Sequence, residues 1–211
     1  MFMRLYLLKK ADLLFGINHS RGYFGTSVKN EYATASAYED VLQQTENAKS
    51  LNNQILHLPE GLSLFSSNRK TIRKKYGRPV FHLHSLPFQS KMEILFFKQT
   101  IERIRIHIEC HLYENRLCMV KYKFPYADEK QSTAIRNKIL SDYGYSDVSG
   151  DVSVKDDLQQ VLYIKGKFGL EINYINLNNK VFSNLLSIES DTRIEDTQLH
   201  KAIQWLHLQK S

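Results

Sequence analysis

Within the stretch from 92 to 124, apolar and polar side chains alternate strictly from 103 to 112 and again from 120 to 124, and a chain carrying such runs has to build a sheet. From 103 to 112, Ile104, Ile106, Ile108, Cys110 and Leu112 fall on one side. Arg103, Arg105, His107, Glu109 and His111 fall on the other. Successive strand side chains point to opposite faces, so the pattern predicts one buried and one solvated face of an antiparallel sheet. Val120, Tyr122 and Phe124 alternate with Lys121 and Lys123 in the same way, and Tyr113 to Arg116 lie between the two runs as a hairpin loop. Residues 94–97 supply a third strand. Three strands with a single apolar face need a cover. The predicted fold class is therefore α+β, an antiparallel sheet covered by helices on one face.

The alternation also restricts the hairpin register. A slip of one residue would set Ile108 against Lys121 and mix the faces. An odd loop of Glu114, Asn115 and Arg116 pairs Ile108 with Tyr122 and Glu109 with Lys121. The other odd solution sets Cys110 opposite Cys118 and Arg105 opposite Lys123. Opposite charges across a strand pair help and like charges hurt, which selects the first.

The flanking chain contains helical segments and turns. Residues 3–8 and 13–17 fit short strands, and Gly16, Gly22 and Gly25 mark a turn-rich connection whose spacing matches no phosphate-binding loop. Residues 34–56 fit a helix with a thin stripe of Ala37, Val41, Ala48, Leu51 and Ile55. Ser66 and Ser67 are N-cap candidates for a helix ending at Tyr76, with Gly77 suited to a left-handed cap and Pro79 as the stop. Residues 80–84 form the next strand. Asp128 caps a further helix, with Gln131 as its capping-box partner and Ala134, Ile135, Ile139 and Tyr143 as its stripe. Gly150 marks a loop, and 161–164 with 170–174 form a second hairpin. A short helix over 181–188 and a last one, capped by Thr192 and Glu195, complete the chain. Three units result: strands and helix over 1–57, a helix-plus-sheet unit over 58–127, and a second over 128–211.

The two units end their helices alike, Ile72 to Tyr76-Gly77 and Ile139 to Tyr143-Gly144. An Ile and a Tyr four apart share a helix face, and the Gly permits an abrupt turn toward the sheet. This is compatible with two tandem α/β repeats. Gly61, a helix, Gly77-Arg78-Pro79 and then antiparallel strands resemble the module of SmpA/OmlA-type outer-membrane assembly lipoproteins. In tandem, the unit is similar to β-lactamase-inhibitor proteins. The resemblance spans roughly 58–174. It implies a helix-on-sheet fold that binds other proteins and carries no chemistry, and it assigns no binding residue.

No paired carboxylates, nucleophile elbow or phosphate loop stand out, and no enzyme is expected. Cys110 and Cys118 fit neither a zinc knuckle nor a redox pair, and two buried thiols point to a reducing compartment. Lys9 and Lys10 interrupt the apolar run at 5–8 before a signal-peptide core forms, and no stretch approaches a transmembrane helix. A cytoplasmic protein is expected. His82 and His84 share one side of a strand, and His107 and His111 share one side of another. Chance histidines on polar faces account for both pairs, and no metal or other cofactor is assigned. Tyr122, Phe124 and Tyr126 beside Lys121 and Lys123 suggest a stacking platform for bases, but the alternation sends Tyr122 and Phe124 into the core.

One feature points outward. The helix ending at Tyr76 has Ile72 and Tyr76 as its only large apolar residues, and Arg69, Lys70, Arg73, Lys74 and Lys75 occupy the rest, with Arg78 just beyond. Cations in a last turn complement the helix dipole, but Arg69 and Lys70 lie earlier, and no acidic i+4 partner offsets them. Net charge is +7. These six residues are the candidate partner- or anion-binding site. The expected function is a non-catalytic protein-interaction or structural module with a protein partner. The alternative is a nucleic-acid-binding protein that uses the basic helix.

Overall fold

The alternating run becomes three neighbouring strands, β3 (Gln89–Ile101), β4 (Ile104–Tyr113) and β5 (Arg116–Phe124). A computed structural model describes residues 28–182, apart from positions 102, 147, 167 and 168. The expected strands at 3–8 and 13–17, the glycine-punctuated stretch, most of the 181–188 helix and the last helix lie outside the described residues. The remaining elements are α1 (Ser36–Asn47), β1 (Lys49–Asn52), α2 (Arg69–Tyr76), β2 (Phe81–Leu86), α3 (Glu129–Asp142), β6 (Val152–Lys155), β7 (Gln160–Lys165) and β8 (Leu170–Asn176). All eight strands join one sheet in the order β1-β6-β7-β8-β5-β4-β3-β2. The antiparallel β5–β8 pair joins β2–β5 to β6–β8 in that sheet. Among the described strands only β1 and β6 pair parallel.

Helices lie on both faces, not on one. Ile72 and Tyr76 of α2 and Leu140 of α3 pack with Leu95, Phe97, Ile108, Cys110, Val120 and Tyr122. Tyr38, Val41 and Leu42 of α1 pack with Ile94, Phe96, Cys118, Met119 and Ile175 on the reverse. The side expected to be wet is therefore largely sealed: Glu109 is 4% exposed and His111 0%. Period-two polarity identifies a polar face, but polar groups that find partners can be buried.

The chosen register holds, with Ile108 opposite Tyr122 and Glu109 opposite Lys121, but the connection differs. Tyr113 pairs with Arg116, leaving a two-residue turn at Glu114 (φ 49) and Asn115 (φ 63). Two successive positive φ values match the tight hairpin turn whose twist suits the flanking strands. An even turn alone would mix the faces. One extra residue, Cys118, bulges between the Leu112–Leu117 and His111–Met119 pairs and restores them. Cys118 then joins the core on one face while Cys110 joins the core on the other. Neither Cys110 nor Cys118 forms a disulfide among the described residues, both are buried, and burial pushes the Cys118 thiol up to about 12.

The helix expected over 34–56 ends at Asn47, and β1 follows. Its buried stripe is Tyr38, Val41, Leu42 and Thr45, a tighter helical spacing than the expected one. The strand β6 was hidden in what reads as a Gly150 loop: four residues between turn formers leave almost no periodic signal. The Asp128–Gln131 capping box forms as expected, while Leu140 replaces Ala134 in the buried stripe of α3. No helix among the described residues is long and apolar enough to cross a membrane.

Candidate functional site

The basic helix α2 starts at Asn68 rather than at Ser66 or Ser67. Asn68 Oδ1 accepts from the Thr71 backbone N–H at 3.1 Å, and the Asn68 N–H donates to Thr71 Oγ1 at 2.8 Å, a reciprocal cap. The same end is tied to the β4–β5 turn, where Asn115 Oδ1 accepts from the Arg69 N–H at 3.3 Å. At the other end Gly77 has φ 84 and ψ −150, a positive-φ conformation outside the left-handed helical region and essentially reserved for glycine. Ile72 and Tyr76 point inward, and the Tyr76 hydroxyl lies 2.9 Å from that of Tyr122.

That orientation leaves Arg69, Lys70, Arg73, Lys74, Lys75 and Arg78 exposed. Five of them have no carboxylate within 4.0 Å among the described residues. Arg69 is the exception. Its Nε and Nη2 donate to Glu93 Oε1 at 3.2 and 2.8 Å, and Nη2 lies 2.7 Å from Oε2. The helix thus lacks an internal acidic partner but finds one on β3. Arg69 therefore does not belong with the uncompensated cations; Lys70 and the three cations of the last turn, with Arg78, do. Two exposed apolar side chains flank them: Phe65 before the helix and Val80 after it are 40% and 42% exposed. Arg73, Arg78 and Val80 share a groove with His82 and His84.

Glu93 is the hub of this corner. It is buried, faces His84 across the β2–β3 pair, and takes His82 Nε2 at 2.7 Å from Oε2. The rings of His82 and His84 lie 3.4 Å apart. Burial lowers the His82 pKa more than its Glu93 contact raises it. Sequence reasoning passed over Glu93; the pattern also places Phe65 on the buried stripe of Ile72 and Tyr76 and Val80 at the start of a strand, whereas both are exposed and the strand begins at Phe81. The only available signal was Glu93 itself, the sole carboxylate in an otherwise apolar strand segment.

The histidines of β4 do not join this corner. His111 and Glu109 project from the opposite face, beneath residues 28–38. There Tyr32 donates to Glu109 Oε2, Lys121 Nζ donates to the Tyr32 hydroxyl at 3.2 Å, and the Tyr38 hydroxyl lies 2.7 Å from His111 Nδ1. Lys123 Nζ reaches Glu109 Oε1 at 2.9 Å and Glu31 Oε1 at 3.0 Å. Burial alone would raise the Glu109 carboxyl, but His111, Lys123 and Lys121 outweigh it and hold the group well below the usual range. Glu109, His111 and Lys121 lie at its buried end and Lys123 and Glu31 at its partly exposed rim, so the network buries charge with partners. The stacking platform does not form among the described residues: Tyr122 and Phe124 are core residues, Lys121 is buried, and exposed Tyr126 has the Arg105 guanidinium 5.7 Å from its ring.

No family model matches this chain, and no curated protein matches it. Among solved structures it is similar to a cysteine-rich secretory protein from Staphylococcus aureus subsp. aureus Mu50, with 10% identity and a TM-score of 0.35. That match covers 61% of this chain and 50% of the other, so the chain spans about half the length of the protein it matches. A likeness at this level carries no functional argument.

Proposed function

We propose that this chain is a non-catalytic protein-interaction module, and that α2 receives an acidic segment of a protein partner. The two helix-plus-sheet units, read as tandem repeats, serve as the rigid support. The observation that carries the proposal is the exposed row of Lys70, Arg73, Lys74, Lys75 and Arg78 with Phe65 and Val80 at its ends. Uncompensated charge steers an acidic partner, and nearby apolar side chains supply contacts that charge alone does not. The resemblance to assembly-lipoprotein and inhibitor modules supports the same class of function. Nucleic acid is the second candidate partner, drawn by the same cations. No exposed aromatic platform among the described residues favours it.

The test replaces Lys70, Arg73, Lys74 and Arg78 with Gln and leaves Arg69 to hold Glu93. Binding to an acidic peptide carrying leucines and to single- and double-stranded nucleic acid is measured over a range of salt. Peptide binding that is lost in the folded variant supports the proposal. Tighter binding to nucleic acid, with a steep fall in affinity as salt rises, would replace it with the phosphate-binding alternative.

A further inference from the structure

We infer that His82, His84 and Glu93 form a binding site for a late divalent transition-metal ion, with Zn(II) as the natural probe. His82 and His84 are two apart on β2, the outermost strand at its end of the sheet, so both imidazoles stand on one side. Glu93 pairs with His84 in the register and stands on that side too. One donor atom from each residue lies within 4.8 Å of the other two. A tetrahedral ion with ligands at ~2.0–2.1 Å requires donors about 3.4 Å apart, so the three need only small shifts to converge. The short His82–Glu93 contact at 2.7 Å has to open, and the ion takes the place of the proton between them. That proton moves to His82 Nδ1, and the imidazole stays neutral.

Three further features fit an ion rather than a chance grouping. The register of β2 against β3 shifts between His84 and Leu86, and such irregularities re-aim side chains at the point where they occur. Exposure is graded from floor to mouth. The side chains of Glu93 and His82 are 9% and 19% exposed, while His84 is open to solvent, so an ion can enter. Arg69 holds both oxygens of the Glu93 carboxylate, as the outer partners of metal-binding carboxylates orient them. Two imidazoles and a carboxylate make a borderline donor set suited to zinc and its neighbours, and they leave a position for water. The guanidiniums of Arg69, Arg73 and Arg78 oppose a dication, so the expected affinity is micromolar rather than tighter. His107 and His111 cannot contribute, because the sheet lies between.

The experiment titrates the untagged full chain with Zn(II) by calorimetry, and with Co(II) by its visible absorption. The expected result is one equivalent bound, with tetrahedral Co(II) bands. His84→Ala and Glu93→Gln should each weaken binding about 10–100-fold, and His107→Ala on the other face should leave it unchanged. His84 is exposed, so its variant keeps the fold, which circular dichroism confirms. Zinc binding of equal strength in wild type and His84→Ala, or no saturable binding by the wild type, would overturn the inference. Neither outcome bears on the peptide-binding proposal, which uses other residues and another ligand.

Discussion

Glu109 stands opposite Lys121 in the strand register, yet its ion pair runs to Lys123, whose Nζ lies 2.9 Å from Glu109 Oε1. Lys121 turns instead toward Tyr32, Glu31 and Glu171. Two lysines thus share a pocket with more than one carboxylate, and Glu109 is its most deeply buried acid. Removing that charge leaves buried cations with less compensation. Glu109→Gln should cost about 3–5 kcal/mol, the usual range for breaking a buried pair. Chemical denaturation checks this; a loss below about 1 kcal/mol would show that Glu31 and Glu171 suffice.

The same pocket sets a pH dependence. Burial lowers the His111 pKa, and the surrounding charges hold Glu109 well below the usual range. A group whose pKa falls on folding binds fewer protons folded than unfolded. Its stabilising contribution is complete above the unfolded value and is lost as pH falls. For His111 the loss starts near the unfolded value of ~6.5, and for Glu109 it starts near ~4.3. His82 adds to the first step with the same sign. The denaturation midpoint should therefore fall between pH 7 and 5 (on the order of those reference values) and fall again below about pH 4. A midpoint flat across both intervals would contradict the assignment.

Asn115 ties the β4–β5 turn to α2. Its φ of 63 favours Asn or Gly, and its side chain accepts the Arg69 N–H. Asn115→Gly keeps the backbone and loses one exposed acceptor, so a change of less than about 1 kcal/mol is expected. Asn115→Val meets the left-handed conformation with a β-branched side chain and should cost about 1–2 kcal/mol or more. Thermal melts of the two variants should separate in that order. Equal melting would mean that the turn relaxes without strain.

What the sequence disclosed follows the range of each interaction. The Asp128–Gln131 cap is local, and its residues announce it. The pairing of Ile108 with Tyr122 followed from alternation, although a bulge at Cys118 rather than an odd loop delivers it. The sealed face at Glu109 and His111 was not legible, because its partners Tyr32 and Tyr38 lie more than 70 positions away, beyond any local pattern. Arg69 is a similar case: only the fold brings Glu93, 24 positions on, under the helix. His82 and His84 shared a side as expected, but the face used by His107 and His111 depends on strand order. That order is a property of the whole sheet.

The central claim is that the exposed cations of α2 receive an acidic protein segment. The most direct measurement is the affinity of a labelled acidic, leucine-bearing peptide for the wild type and for the variant with Lys70, Arg73, Lys74 and Arg78 all changed to Gln. It is made at physiological salt, with melting temperature as the check on folding. The account predicts a loss of at least about tenfold, or ~1.4 kcal/mol, with melting unchanged. Equal affinity in a folded variant would contradict it and leave α2 as solvated surface.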